Sequence, residues 1–154
     1  MGNEETISNE EKRQVYAILK TKLKIAMDQE FYLEALLLEY SIVEDRLLSI
    51  LKHLGLKYTD SNDRELQIGK KIKKVRGQIE NDNPLVVGKI DLNMIDRIFA
   101  WKDTRNDLVH NSCHRLFNND EVTKCAEEGA EIVRQLSNSA TRIKRAADRK
   151  NAGK

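Results

Sequence analysis

From Glu30 to Leu54 the chain reads EFYLEALLLEYSIVEDRLLSILKHL, with Leu36, Leu37, Tyr40, Val43, Leu47, Ile50, Leu51 and Leu54 recurring at three- and four-residue intervals. That spacing predicts one long helix, and Gly55 directly after it is placed as its C-terminal stop. Its FYLEALLLEY segment is apolar on nearly every side. Such a helix must be covered by neighbours on more than one face, so it reads as the central element of a bundle. A chain of 154 residues, 40% of them hydrophobic, suits one domain with a modest core. A single proline and a composition rich in good helix formers point to an all-α fold.

The remaining segments supply the neighbours. Ser8 followed by Glu11 is a capping box, and Val15, Ile18, Leu19, Leu23 and Ala26 then trace a first helix ending near Asp28. Residues 56 to 63 read as a loop, residues 64 to 80 as a basic third helix, and Asn81 to Pro84 as its break. Asp91 caps a fourth helix running through IDRIFAWKDTRNDLVH, and Asn118 to Asp120 offer a cap for a long fifth. Val122, Ala126, Ala130, Val133, Leu136, Ala140 and Ile143 form a buried stripe that ends at Ala147. The expectation is an up-and-down bundle of about five helices over residues 1–147, with residues 148–154 a basic disordered tail.

No apolar run approaches the roughly 20 residues that a membrane span needs, and the opening MGNEETISNEE is acidic where a signal peptide would be basic. A cytoplasmic protein is expected, without a membrane partner. Cys113 and Cys125 form no CxxC pair and suggest neither a disulfide framework nor a zinc site. The net charge of +2 does not by itself argue for nucleic acid, but it is unevenly spread. Arg64, Lys70, Lys71, Lys73, Lys74 and Arg76 face one acid, Glu65, and the C-terminus repeats the bias from Arg142 to Lys154. Alone, either patch reads as a solvated helix face. Beside a catalytic motif, Lys70, Lys71, Lys73 and Lys74 become an RNA-binding surface.

On the fourth helix, Met94, Ile98, Trp101, Arg105 and Leu108 fall on one line at about 100° per residue. A guanidinium in an apolar stripe needs an anion. Glu39, Glu44 and Asp45 of the central helix are the candidates, with Glu44 preferred because it adjoins Val43 and Leu47, and Trp101 lies one turn before Arg105, within stacking reach. A second line holds Leu92, Ile95, Phe99, Asn106 and His110. Two buried faces on one helix leave the second for another helix or a second subunit. Asn106 and His110, at i and i+4, allow the amide to orient the imidazole.

The stretch Arg105-Asn106-Asp107-Leu108-Val109-His110 resembles the motif of the HEPN domains, in which an arginine, often followed by a polar residue, precedes a histidine by four to six positions. The long helix LEALLLEYSIVEDRLLSILKHLG is similar to the HEPN helix whose acidic residue approaches that arginine. The resemblance spans most of the chain and implies a homodimer whose two motifs converge and cut RNA without metal or cofactor. It implies His110 in proton transfer, Arg105 on the scissile phosphate and Asn106 in orientation, with a toxin or anti-phage role and an antitoxin or regulatory protein as a further partner. HEPN toxins modified by a partner nucleotidyltransferase carry a tyrosine two residues after the histidine. Here Ser112 stands in that place, so the resemblance does not extend to that subfamily.

Plainer readings accompany each of these residues. His110 also reads as a helix-terminal histidine facing the dipole, Arg105 as an interhelical ion pair, and His53 as a helix-end residue. His114 lies four residues after His110 with no third ligand nearby, which leaves it a surface residue in reach of RNA. Cys113 beside His114 is a poor nucleophile pair, because sequence neighbours seldom reach that geometry. The alternative to a nuclease is a non-catalytic HEPN module that binds RNA or a partner protein. A purely structural helical dimer is the third reading.

Overall fold

The computed structural model describes residues 7–114 and 119–153. Five helices follow in order: α1 Asn9–Asp28, α2 Tyr32–His53, α3 Ile68–Glu80, α4 Leu92–His110 and α5 Asn119–Ala152. Among the described residues there is no β-strand, only an isolated bridge between Thr59 and Glu65. The architecture is an all-α bundle.

Helix ends follow the local chemistry. At α1 the Glu11 N–H donates to the Ser8 hydroxyl at 3.2 Å and the Ser8 N–H donates to the Glu11 carboxylate at 2.7 Å, a complete capping box. Gly55 ends α2 at φ 69°, where its N–H reaches the Lys52 carbonyl and the Leu56 N–H the Leu51 carbonyl. That pair of bonds is a Schellman stop, and the left-handed conformation it requires favours glycine. Asp91 accepts from the Met94 N–H at 2.8 Å and starts α4. The expected cap of α5 at Asn118 lies outside the described residues.

α2 is the hub, touching all four other helices and packing most extensively along α5. Leu36, Ile42, Leu47, Ile50, Ile95 and Leu136 are fully buried around it. α2 is not covered everywhere, however, because Leu37 points outward at 53% exposure.

Two boundaries differ from the sequence reading. α3 starts at Ile68, not near Arg64, because residues 58 to 66 fold back on themselves. There the Leu66 N–H meets the Tyr58 carbonyl, and the Asp60 carboxylate takes the N–H groups of Asn62 and Arg64. At the other end, residues 148–152, expected as disordered tail, are the last turn of α5. Ala147 is buried and the residues beyond it are exposed, so good helix formers, not burial, sustain that turn. No helix among the described residues is long and apolar enough to cross a membrane.

Candidate active site

α4 divides its residues between core and surface along the two lines read from the sequence. Met94, Ile98, Trp101 and Leu108 are buried, and Arg105 lies half-buried among them. On the second line Ile95 is fully buried in the chain's own core, while Leu92 and Phe99 stand 39% and 43% exposed. Asn106 is half-buried and His110 exposed.

Between this part of α4 and the start of α3 lies a cleft of about 550 Å³. Lys102, Arg105, Asn106 and His110 form the α4 wall, Gln67, Ile68 and Gly69 the α3 wall, and Tyr40 and Glu44 come from α2. Three motif residues thus share one opening. His114 does not line it and sits exposed in the turn after α4.

The expected partner of Arg105 is corrected by its surroundings. No Arg105–Glu44 ion pair forms. The guanidinium lies instead over the Tyr40 ring, 4.2 Å from its centroid, and donates from Nη1 to the Asn106 Oδ1 at 3.1 Å. Its Nε is buried and meets no acceptor among the described residues. Burial lowers its pKa, opposed by Tyr40 and Cys125. Burial likewise raises the Tyr40 phenol, with Glu44 adding to the rise and Arg105 opposing it. Trp101 does not stack on Arg105 either, since the guanidinium lies over Tyr40, and its indole N–H donates inside the core to the Cys125 carbonyl at 3.0 Å.

Glu44 is taken by Lys71. That lysine is fully buried, its Nζ 2.6 Å from the Glu65 carboxylate and 3.8 Å from that of Glu44. A lysine at this depth is no phosphate contact, so the patch expected to bind RNA loses its second member. The physical reason is spacing: Ile68, Lys71, Ile72 and Val75 are the buried face of α3. Lys74, half-buried, donates to the Lys57 carbonyl at the surface. Lys70 and Lys73 remain exposed.

No hydrogen bond joins Asn106 to the His110 imidazole in this structure, and the Asn106 oxygen accepts from Arg105 instead. His53, read as a helix-end residue, holds the Ser49 carbonyl at 2.7 Å with Nδ1. Cys113 is exposed and Cys125 buried, and burial pushes the Cys125 thiol up to about 12, with Glu39 acting in the same direction, which leaves it inert at neutral pH. No group of three or more His, Cys, Asp or Glu residues that could hold a metal occurs among the described residues.

Glu39 is a feature that the sequence named only as a candidate partner for Arg105. It is fully buried, neither carboxylate oxygen meets a donor among the described residues, and burial pushes its pKa from 4.5 up to about 9. The folded protein therefore holds this group protonated at neutral pH, whereas the unfolded chain releases the proton above about 4.5. Through that window the folded state binds the extra proton, so stability falls as pH rises from about 4.5 to about 9 and then levels off. The slope from this one group is at most about 1.4 kcal/mol per pH unit. Glu39→Gln should remove it, which urea midpoints taken at acid, neutral and alkaline pH will show. Equal slopes in both proteins would place the ionisation elsewhere.

The chain matches no family model, no curated protein and no solved structure.

Proposed function

We propose that the chain is a metal-independent endoribonuclease of the HEPN type, a toxin or anti-phage effector acting as a homodimer. The observation that supports this reading is the shared cleft, where Arg105, Asn106 and His110 stand on one wall with room for a nucleotide-sized ligand. His110 is exposed to exchange protons with solvent and substrate, and the cationic Arg105, held on Tyr40, has a buried Nε that meets no acceptor among the described residues. An arriving phosphate would supply that acceptor.

In the proposed reaction the ribose 2′-oxygen attacks phosphorus and loses its proton to a base. The P–O5′ bond breaks, and an acid protonates the leaving 5′-oxygen. One imidazole can serve as base and a second, from the other subunit, as acid. Arg105 neutralises charge on the phosphate oxygens. Exposed Leu92 and Phe99 lie on the His110 line of α4, so their burial against a second copy would draw the two motif helices together.

The test is an RNA digestion by the purified protein with EDTA present. Fragments ending in a 2′,3′-cyclic phosphate, and no cut where a 2′-deoxy nucleotide replaces the scissile position, are expected. Strict dependence on Mg²⁺, or cleavage of the deoxy substrate, overturns the mechanism. One observation favours the second reading, a HEPN module that binds RNA or a partner protein without cleaving: no described side chain hydrogen-bonds the His110 ring to fix it. Binding without fragments would decide for that reading.

A further inference from the structure

The α4 wall of the cleft carries one more cation, at Lys102, one turn before Arg105. Its side chain is only 12% exposed, and its ammonium lies 4.3 Å from the centroid of the Phe99 ring and 2.7 Å from the Asp103 carboxylate. Asp103 itself is largely in water, at 57% exposure. An ammonium has three N–H donors, and Asp103 takes one. On the cleft side the opposite wall is Gly69, where an added Cβ would still stand 3.8 Å from the Lys102 Nζ and meet nothing nearer. That is ordinary contact distance, so Gly69 presents the ammonium with backbone and no side chain.

Glu44 and Glu65 also line the cleft, but both face the ammonium of the buried Lys71. The lysine and arginine side chains on the cleft lining are Lys102, whose ammonium also meets Asp103, and Arg105. Residues three apart on a helix have Cβ atoms about 5–6 Å from one another, so two long side chains there can hold neighbouring phosphates of one strand.

We infer that Lys102 is a second phosphate-holding residue of the cleft, gripping the phosphodiester next to the one held by Arg105, so that the substrate enters as single-stranded RNA. The inference rests on the ribonuclease reading for its reaction, though not for its binding. Lys102 positions the strand and takes no part in proton transfer.

The test measures binding of a fluorescein-labelled 2′-O-methyl oligouridylate, which cannot be cut by 2′-oxygen attack, across a salt series. It also measures kcat and KM on cleavable RNA. Lys102→Gln should weaken binding about tenfold at low salt and flatten the salt slope by about 0.7, the share of one phosphate on a single strand. KM should rise by a similar factor with kcat nearly unchanged, and Lys102→Arg should retain both affinity and slope. A purely structural lysine packed on Phe99 would lower the melting temperature without moving the slope. If Lys102→Gln melts early, Lys102→Met keeps the alkyl stem and serves the same comparison. Unchanged affinity and slope in a folded variant overturn the inference while leaving any cleavage by the native protein intact. Binding that falls as expected, in a protein that cuts no RNA, upholds Lys102 and overturns the ribonuclease. Failure of the native protein to bind the oligonucleotide at any salt overturns both.

Discussion

Replacing His110 with alanine should slow RNA cleavage by about 10²- to 10⁴-fold, the usual worth of general acid–base catalysis, and leave RNA affinity nearly unchanged. The fold should not notice, because the imidazole is exposed at the last residue of α4 and its ring bonds to no described side chain. Single-turnover rates and equilibrium binding on the same RNA check both halves, and a variant that cleaves at the native rate removes His110 from the reaction. Arg105→Ala behaves differently. No described carboxylate is left unpaired when the guanidinium goes, so the cost in stability comes from the contact with Tyr40 and the hydrogen bond to Asn106, about 1–3 kcal/mol, at or below that of a broken buried ion pair. Both cleavage and RNA affinity should fall in that variant.

Gly129→Ala should destabilise the bundle although it replaces glycine within a helix. Helix propensity favours alanine there by about 1 kcal/mol. Against that, the new Cβ would stand 2.2 Å from the Glu39 Oε1 and 2.7 Å from the Trp101 Nε1. Both side chains are buried and cannot swing into solvent. Overpacking of this kind costs about 1–3 kcal/mol, so with the propensity gain set against it the net loss reaches about 2 kcal/mol. For a chain of this size that is a fall in melting temperature of about 4–8 °C. Adding Glu39→Ala removes the clashing carboxyl, so the double variant should recover more than the two single effects predict. A Gly129→Ala protein that melts at or above the native temperature shows that the site relaxes freely.

These two sites differ in how far the sequence announced them. Arg105 stood out because arginine in an apolar stripe is chemically conspicuous, and Asn106 and His110 through their i, i+4 spacing and the motif that the three residues make. Their neighbours did not, since the choice between Glu44 and Tyr40 depends on helix rotation that spacing alone does not fix. The caps at Ser8, Asp91 and Gly55 marked helix ends correctly because each acts through its own backbone neighbours. Lys71 was hidden by composition: in a run of lysines it read as solvated, yet it lies three residues after Ile68 and four before Val75, which puts it on the buried face. Glu39 gave a comparable signal between Leu36 and Val43, and Gly129 within α5 was its counterpart. Neither could be paired with the other before α2 and α5 were seen side by side.

The length of α5 bears on how the molecule breathes. Its 34 residues span about 51 Å, and its buried side chains run from Val122 to Ala147. Amide protons around Ile132 and Leu136, locked against the hub helix, exchange with deuterium only when the whole bundle opens. Those beyond Ala147 have no such cover and exchange through local fraying, orders of magnitude sooner. One continuous helix should therefore hold both slow and fast clocks, and the basic residues Arg149 and Lys150 ride on the fast end.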